Sequence, residues 1–161
     1  MIPGTSLEQV NIRVAATSEA AAISSLALRS KAHWGFPDDF LEACREELTY
    51  SEAQVDSEDY EFVVCESEDR IVGFYALELL NPEQAELEAL FVEPEMIGQG
   101  FGRSLMNHAK EKAAALGIRR IIIQGDPNSD SFYRAAGGIA EGERESGSIP
   151  GRFLPIFRID L

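Results

Sequence analysis

The chain has 161 residues, 45% of them hydrophobic, with 28 acidic side chains against 14 Lys plus Arg and a formal net charge of −14. This length suits a single domain, 1–161, with a structured core from about residue 10, and this apolar share excludes wholesale disorder. The charge opposes a nucleic-acid or anionic-membrane footprint and favours cationic partners.

The opening MIPGTSLEQVNIRV lacks a basic start followed by an apolar stretch, and no apolar run approaches bilayer length, so a soluble cytoplasmic protein is expected. Val10 to Ala15 reads as a strand, and Thr17 or Ser18 offers an N-cap for a helix through about Lys31, with Ile23, Leu26, Ala27, Ser30 and Trp34 near helical spacing. Gly35 stops it. Pro37, Asp38 and Asp39 start a second helix with Phe40, Leu41, Cys44 and Leu48 on its apolar side. The acidic stretch Ser51 to Asp59 reads as a surface connection.

Tyr60 to Glu66, Ile71 to Leu80 and Ala85 to Val92 are strand-like runs whose short connections permit only antiparallel hairpins. A glycine-rich turn, Gly98-Gln99-Gly100-Phe101-Gly102, leads into a helix in which Leu105, Met106, Ala109, Ala113 and Leu116 share a face, ended by Gly117. Arg119 to Gln124 is a buried-type strand. A short helix follows Asp126-Pro-Asn128, and strands Ile139 to Glu145 and Phe153 to Ile159 flank the loop Ser146 to Gly151. The order β-α-α-β-β-β-α-β-α-β-β is an α+β domain on a mixed sheet.

Charge is unevenly placed. Residues 1–100 hold 5 basic and 21 acidic side chains, whereas residues 101–161 hold 9 and 7. The C-terminal part can therefore tolerate an anion while the N-terminal part attracts a cation. Cys44 and Cys65 form no C-x-x-C pair and read as buried thiols; His33 and His108 lack metal-ligand spacing, so no metal is expected.

A strand-to-helix turn with alternate glycines lets successive N–H groups point at one spot, and the helix adds the positive end of its dipole. Gly98 to Gly102, with Arg103 and Ser104 on the first helical turn, is thus a candidate pyrophosphate cradle. A Walker loop needs Lys where Arg103 stands, and a dinucleotide fingerprint needs a third Gly at that position.

The segment Leu87 to Arg103 resembles the acyl-CoA-binding core of the GNAT superfamily of N-acyltransferases, whose motif is Arg/Gln-x-x-Gly-x-Gly/Ala. Gly100 and Gly102 are the motif glycines here, and Ile97 stands where the family has Arg or Gln. Phe132-Tyr-Arg-Ala-Ala-Gly137 resembles a second family signature. The resemblance implies a sheet splayed between the fourth and fifth strands, with helices on both faces and acetyl-CoA as co-substrate. Backbone groups of Leu90, Phe91 and Val92 would pair with the pantetheine arm, and the N–H groups from Gly98 to Arg103 would take the pyrophosphate.

Amine acylation needs a base, and Glu86 and Glu88, two apart on the fourth strand, are expected to share one face with Leu90 and Val92. Glu88 is favoured over Glu86, with water or His33 as further options. The resemblance makes Tyr133 the proton donor to the thiolate and gives His33, Trp34 and Phe36 an acceptor-pocket role. The family's Asn position holds Asp126, with Asn128 two further on; either can contact the cofactor or cap the helix. The implied activity is acetyl transfer to a primary amine of a small molecule or peptide by direct attack, in a monomer or homodimer. A non-catalytic acyl-CoA-binding module is the alternative, and a nucleotide-binding domain fits the spacings poorly.

Overall fold

The computed structural model of the chain describes residues 10–161; the reading of the opening segment before Val10 lies outside them. The strands are β1 (Val10–Val14), β2 (Tyr60–Ser67), β3 (Arg70–Asn81), β4 (Gln84–Val92), β5 (Arg120–Gln124), β6 (Ile139–Glu145) and β7 (Phe153–Asp160). The helices are α1 (Ala20–Ala32), α2 (Asp38–Cys44), α3 (Glu52–Asp56), α4 (Phe101–Ala115) and α5 (Asp130–Ala135). Among the described residues one sheet of order β1-β2-β3-β4-β5-β7-β6 joins these strands, and only the β4–β5 pair is parallel.

Local chemistry explains the boundaries. Glu68 and Asp69, at φ of 53° and 62°, supply the left-handed pair that a two-residue hairpin needs between β2 and β3. Neither Thr17 nor Ser18 caps α1; instead the Glu19 carboxylate accepts the Ala16 N–H at 2.7 Å. The acidic connection contains a turn of helix, α3, because the Ser51 hydroxyl accepts the Gln54 N–H at 3.1 Å. Gly117 and Gly137 end α4 and α5 at φ of 85° and 100°.

The sheet separates two apolar cores. Against one face lies α4, through Phe101, Leu105, Met106, Ala109 and Ala113, joined by Tyr133 of α5. Against the other lie α1 and the α2 region, through Ile23, Leu26, Ala27, Cys44, Leu48 and Tyr50.

Two irregularities of β4 set the site. Its ladder with β5 runs only from Gln84↔Arg120 to Leu87↔Ile123, after which the strands part and leave the β4 edge from Glu88 to Val92 unpaired. On its other edge Leu77 pairs with Leu87 and Ala76 with Ala89, so Glu88 is the extra residue of a β-bulge. A bulge shifts the alternation of side chains. Ala85 and Leu87 face the α4 core before it, but Leu90 and Val92 do so after it, while Ala89 and Phe91 turn to the α1 side. The expectation that Glu86 and Glu88 share a face with Leu90 and Val92 is therefore overturned. Glu86, opposite Glu78, lies on the α1 side, and Glu88 lies near Tyr50 and Tyr60 of that same side.

Candidate active site

Two cavities meet where β4 and β5 part. The larger, about 410 Å³, runs from the β4 edge to the start of α4. Leu90, Phe91 and Val92 line it, followed by Gly98, Gly100, Gly102 and Arg103. Gly98 and Gly100 have φ of 87° and 92°, a region closed to most side-chain-bearing residues, and this turn aims the chain into the α4 N-terminus. The N–H groups of Gly98, Gln99 and Gly100 have no backbone acceptor among the described residues, and those of Phe101, Gly102 and Arg103 precede the first helical hydrogen bond, which Ser104 donates to the Gly100 carbonyl at 3.0 Å. The result is a concave run of donors at the positive end of a 15-residue helix.

Of the other residues expected on the cofactor side, Gln99 and Phe101 offer their backbone alone, and Asp126 and Asn128 line this cavity. The Gln99 side chain points away, donating to the Glu95 carbonyl at 3.3 Å, and the Phe101 ring is buried in the core, leaving only its backbone for a ligand. Trp34, 48% exposed and expected in an acceptor pocket, lines this larger cavity and not the smaller one. Asp126 caps the following turn by accepting the Asn128 N–H at 2.9 Å, and one of its oxygens, Oδ2, also takes Lys31 Nζ at 3.1 Å and Arg152 Nη2 at 3.2 Å. Burial opposes charge on Asp126, but these donors overcome it and hold the carboxyl below its ordinary range.

The smaller cavity, about 160 Å³, lies on the α1 side of β4. Its wall includes Glu86 and Glu88 of β4, Glu47 after α2, and Ser146 and Arg152 at the ends of the β6–β7 loop. Glu86 is paired with Arg144, whose Nη1 lies 3.3 Å from it and also 3.3 Å from Gln124 Oε1. Among the described residues Glu88 has no such partner. Burial first, then the charges of Glu86, Glu78 and Glu47, push its carboxyl up to about 7, with Arg144 opposing. A carboxylate that titrates near neutrality is suited to take a proton there.

Tyr133 belongs to the walls of both cavities, as do Leu90 and Phe91. Its ring is held edge-on by Phe132 at 5.2 Å and packed against Phe157 at 5.9 Å. Burial, reinforced by Asp126, pushes its phenol well above the ordinary tyrosine range, so the hydroxyl keeps its proton at neutral pH.

The expected acceptor residues His33 and Phe36 do not line the smaller cavity. His33 is exposed at the end of α1, edge-on to Trp34 at 5.3 Å. Phe36 stacks on Phe40 at 4.4 Å, and the pair is covered by the chain's own cations, Lys31 at 5.1 Å from Phe36 and Arg152 at 4.8 Å from Phe40. An aromatic face already holding two cations is not open to a cationic ligand. Glu47, Lys31 and Arg144 were not among the expected site residues; only folding brings them to one place.

The family model described as the acetyltransferase (GNAT) family matches residues 26–137, which include β4, the glycine turn, α4 and Tyr133. The chain belongs to that family. An uncharacterized N-acetyltransferase of Methanocaldococcus jannaschii is 32% identical over 103 residues, 60% of this GNAT chain and 45% of the relative, so the match spans under half of that protein. Among solved structures, the PaiA N-acetyltransferase of Thermoplasma acidophilum in complex with coenzyme A superposes with a TM-score of 0.77 at 19% identity, covering 94% of this chain and 99% of that one. A variant of the SpeG spermidine N-acetyltransferase of Vibrio cholerae gives 0.69 at 20% identity over 95% and 94%. The ribosomal-protein-S18-alanine N-acetyltransferase of Escherichia coli gives 0.71 at 18% over 94% and 93%. At these identities the likeness establishes the GNAT fold. Among the described residues no cluster of three or more metal-ligating side chains occurs, and no helix is long and apolar enough to cross a membrane.

Proposed function

We propose that this chain is an acetyl-CoA-dependent N-acetyltransferase that acetylates a primary amine by direct attack in a ternary complex. The observation that carries the reading is the meeting of two chemically different cavities at Tyr133: a long one ending at a helix N-terminus, and a small one lined by carboxylates. The unpaired β4 edge beyond Leu87 offers N–H and C=O groups to the amides of a pantetheine arm, as an added strand would. The amides from Gly98 to Arg103 suit a pyrophosphate, without the side-chain contact that Ile97 cannot make.

In this reading Glu88, directly or through water, accepts the proton that leaves the amine, and a neutral nitrogen attacks the thioester carbonyl. The C–N bond forms and the C–S bond breaks. The departing sulfur takes its proton from the Tyr133 hydroxyl, and the second proton that the acylated nitrogen sheds on becoming an amide returns to that oxygen through solvent. Glu86, tied to Arg144, is left to shape the field around Glu88. The homologous structures named above carry coenzyme A or act, by name, on spermidine and on a ribosomal protein's alanine, which supports acetyl transfer to an amine without choosing the acceptor.

Calorimetry with acetyl-CoA, coenzyme A and ATP, followed by thiol release across amines, polyamines, amino acids and peptide N-termini, tests this. Binding of acetyl-CoA but not ATP, with thiol release on at least one amine, is expected. Tight ATP binding without coenzyme A binding refutes it, and cofactor binding with silence across the panel favours a non-catalytic module.

A further inference from the structure

The smaller cavity is not uniformly acidic. Among the described residues Glu47 and Glu88 stand on its wall without a cationic partner, Glu47 accepting the Ser148 hydroxyl, whereas the corner by Asp126 has two cations, Lys31 and Arg152, on one carboxylate oxygen. That corner is therefore left with one positive charge. The two cations are largely buried, with side-chain exposures of 16% and 22%, so bulk water screens them weakly. Arg152 uses one Nη2 N–H on Asp126, and among the described residues its other guanidinium N–H groups meet no acceptor. The stacked Phe36 and Phe40 rings beneath hold both cations in place.

Resting on the acetyltransferase reading, we infer that the acceptor is a small zwitterion, an amino-acid-like molecule whose amine lies toward Glu88 and Glu47 and whose anionic group binds Arg152 and Lys31. A polyamine offers nothing to the cationic corner and would bring a second positive charge toward it. The size agrees: a cavity of about 160 Å³ is below the range usual for drug-sized ligands and suits a molecule of a few heavy atoms beyond the reacting amine. Guanidinium and carboxylate are matched in shape, so a carboxylate is the first anion to try, with a phosphonate as the second.

The test is a matched substrate series on the wild-type enzyme: L-amino acids, their primary amides, the corresponding alkylamines, aminoalkyl phosphonates and polyamines, each read as kcat/KM by thiol release. A free anionic group is expected to raise kcat/KM about ten- to hundredfold over the amide or alkylamine, the loss expected when a charged hydrogen-bonding partner is left unpaired. Phosphonates matching carboxylates would assign the corner to anions in general; phosphonates alone being active would replace the carboxylate by a phosphate-class anion. Arg152→Ala should bring the acid and the amide to equal kcat/KM, with Arg152→Lys partly restoring the preference, while the affinity for acetyl-CoA stays unchanged. Equal rates for acid and amide in the wild type, or polyamines as the best acceptors, overturn the zwitterion while leaving the transferase intact. Acetyl-CoA binding with no thiol release from any acceptor overturns it too, and absence of acetyl-CoA binding removes the transferase reading with it.

Discussion

Replacing Glu88 by Gln should disable the enzyme and make the protein more stable, both in a pH-dependent way. The folded protein raises this carboxyl from the ordinary 4.5 to about 7, chiefly by burial. Between those values the folded state binds more protons than the unfolded one, so the group's contribution to stability falls as pH rises from 4.5 to 7 and stays at its minimum above. Undiscounted, the shift corresponds to about 3 kcal/mol of destabilisation at pH 8 and under about 1 kcal/mol at pH 5. Glu88 lines a cavity open to solvent, and screening reduces the difference between the two pH values to about 1 kcal/mol. Gln keeps the shape and drops the charge, so E88Q should melt about 2–4 °C higher than wild type at pH 8, with most of that gain absent at pH 5. In activity, the ratio of wild-type to E88Q kcat/KM isolates the base, because the ionisation of the free amine is common to both. That ratio should reach about 10² to 10⁴ above pH 8 and fall about tenfold per unit below pH 7. Thermal melts at the two pH values and a rate profile from pH 5 to 9 decide it. A variant equally destabilised at both pH values, or a wild-type limb near 7 that persists in E88Q, refutes the assignment.

Tyr133→Phe should lower kcat at least tenfold with little change in acetyl-CoA affinity, since the hydroxyl acts on the leaving sulfur; a parallel loss of binding by calorimetry would make the residue structural. Gly98→Ala meets no atom within 4 Å but forces a side chain to φ of 87°, so it should cost about 1–2 kcal/mol in stability and weaken coenzyme A binding, checked by melts and calorimetry. Arg29 forks onto the buried Glu93 through two 2.7 Å hydrogen bonds immediately after β4. Arg29→Ala should cost about 1–3 kcal/mol at pH 7 in urea unfolding. That cost should shrink as pH falls, because the guanidinium hydrogen bonds hold the Glu93 carboxyl below its ordinary range and protonation removes its advantage.

Most elements were legible because they rest on local rules: strand-like runs joined by short turns in β2 to β4, glycines ending α4 and α5, and alternate glycines opening the α4 cradle; α3, a single short turn in an acidic stretch, was not. What stayed hidden in the site comes from interactions without a local signature. The bulge at Glu88 is one residue of excess that only pairing with β3 reveals, and strict alternation along β4 therefore assigns its even-numbered residues to the wrong common face. Phe36 sits close to the acceptor cavity, yet its ring is occupied by Lys31 from α1 and Arg152 from the β6–β7 loop, cations that neighbouring sequence does not announce. Trp34 has helical spacing relative to the buried residues of α1, but the helix ends at Ala32 and leaves the indole exposed. The division of charge between the two parts of the chain was real in number but not in place. Arg144 and Arg152 from the C-terminal part reach back to the acceptor side, so that cavity is bipolar instead of acidic.

The Asp126 carboxylate joins segments far apart along the chain: Lys31 is 95 residues away and Arg152 is 26. Neither pairing can form until the sheet has brought α1, the β5–α5 connection and the β6–β7 loop together, because each closes a large loop for little local gain. The corner should consequently assemble late and open early in the native ensemble, which amide exchange checks: the β6–β7 loop should exchange before the strands beneath it. An acceptor that spans the corner therefore does more than present its amine. At a hundred times its dissociation constant it would stabilise the closed state by about 2.7 kcal/mol, making amide protection of the β6–β7 loop a direct gauge of occupancy.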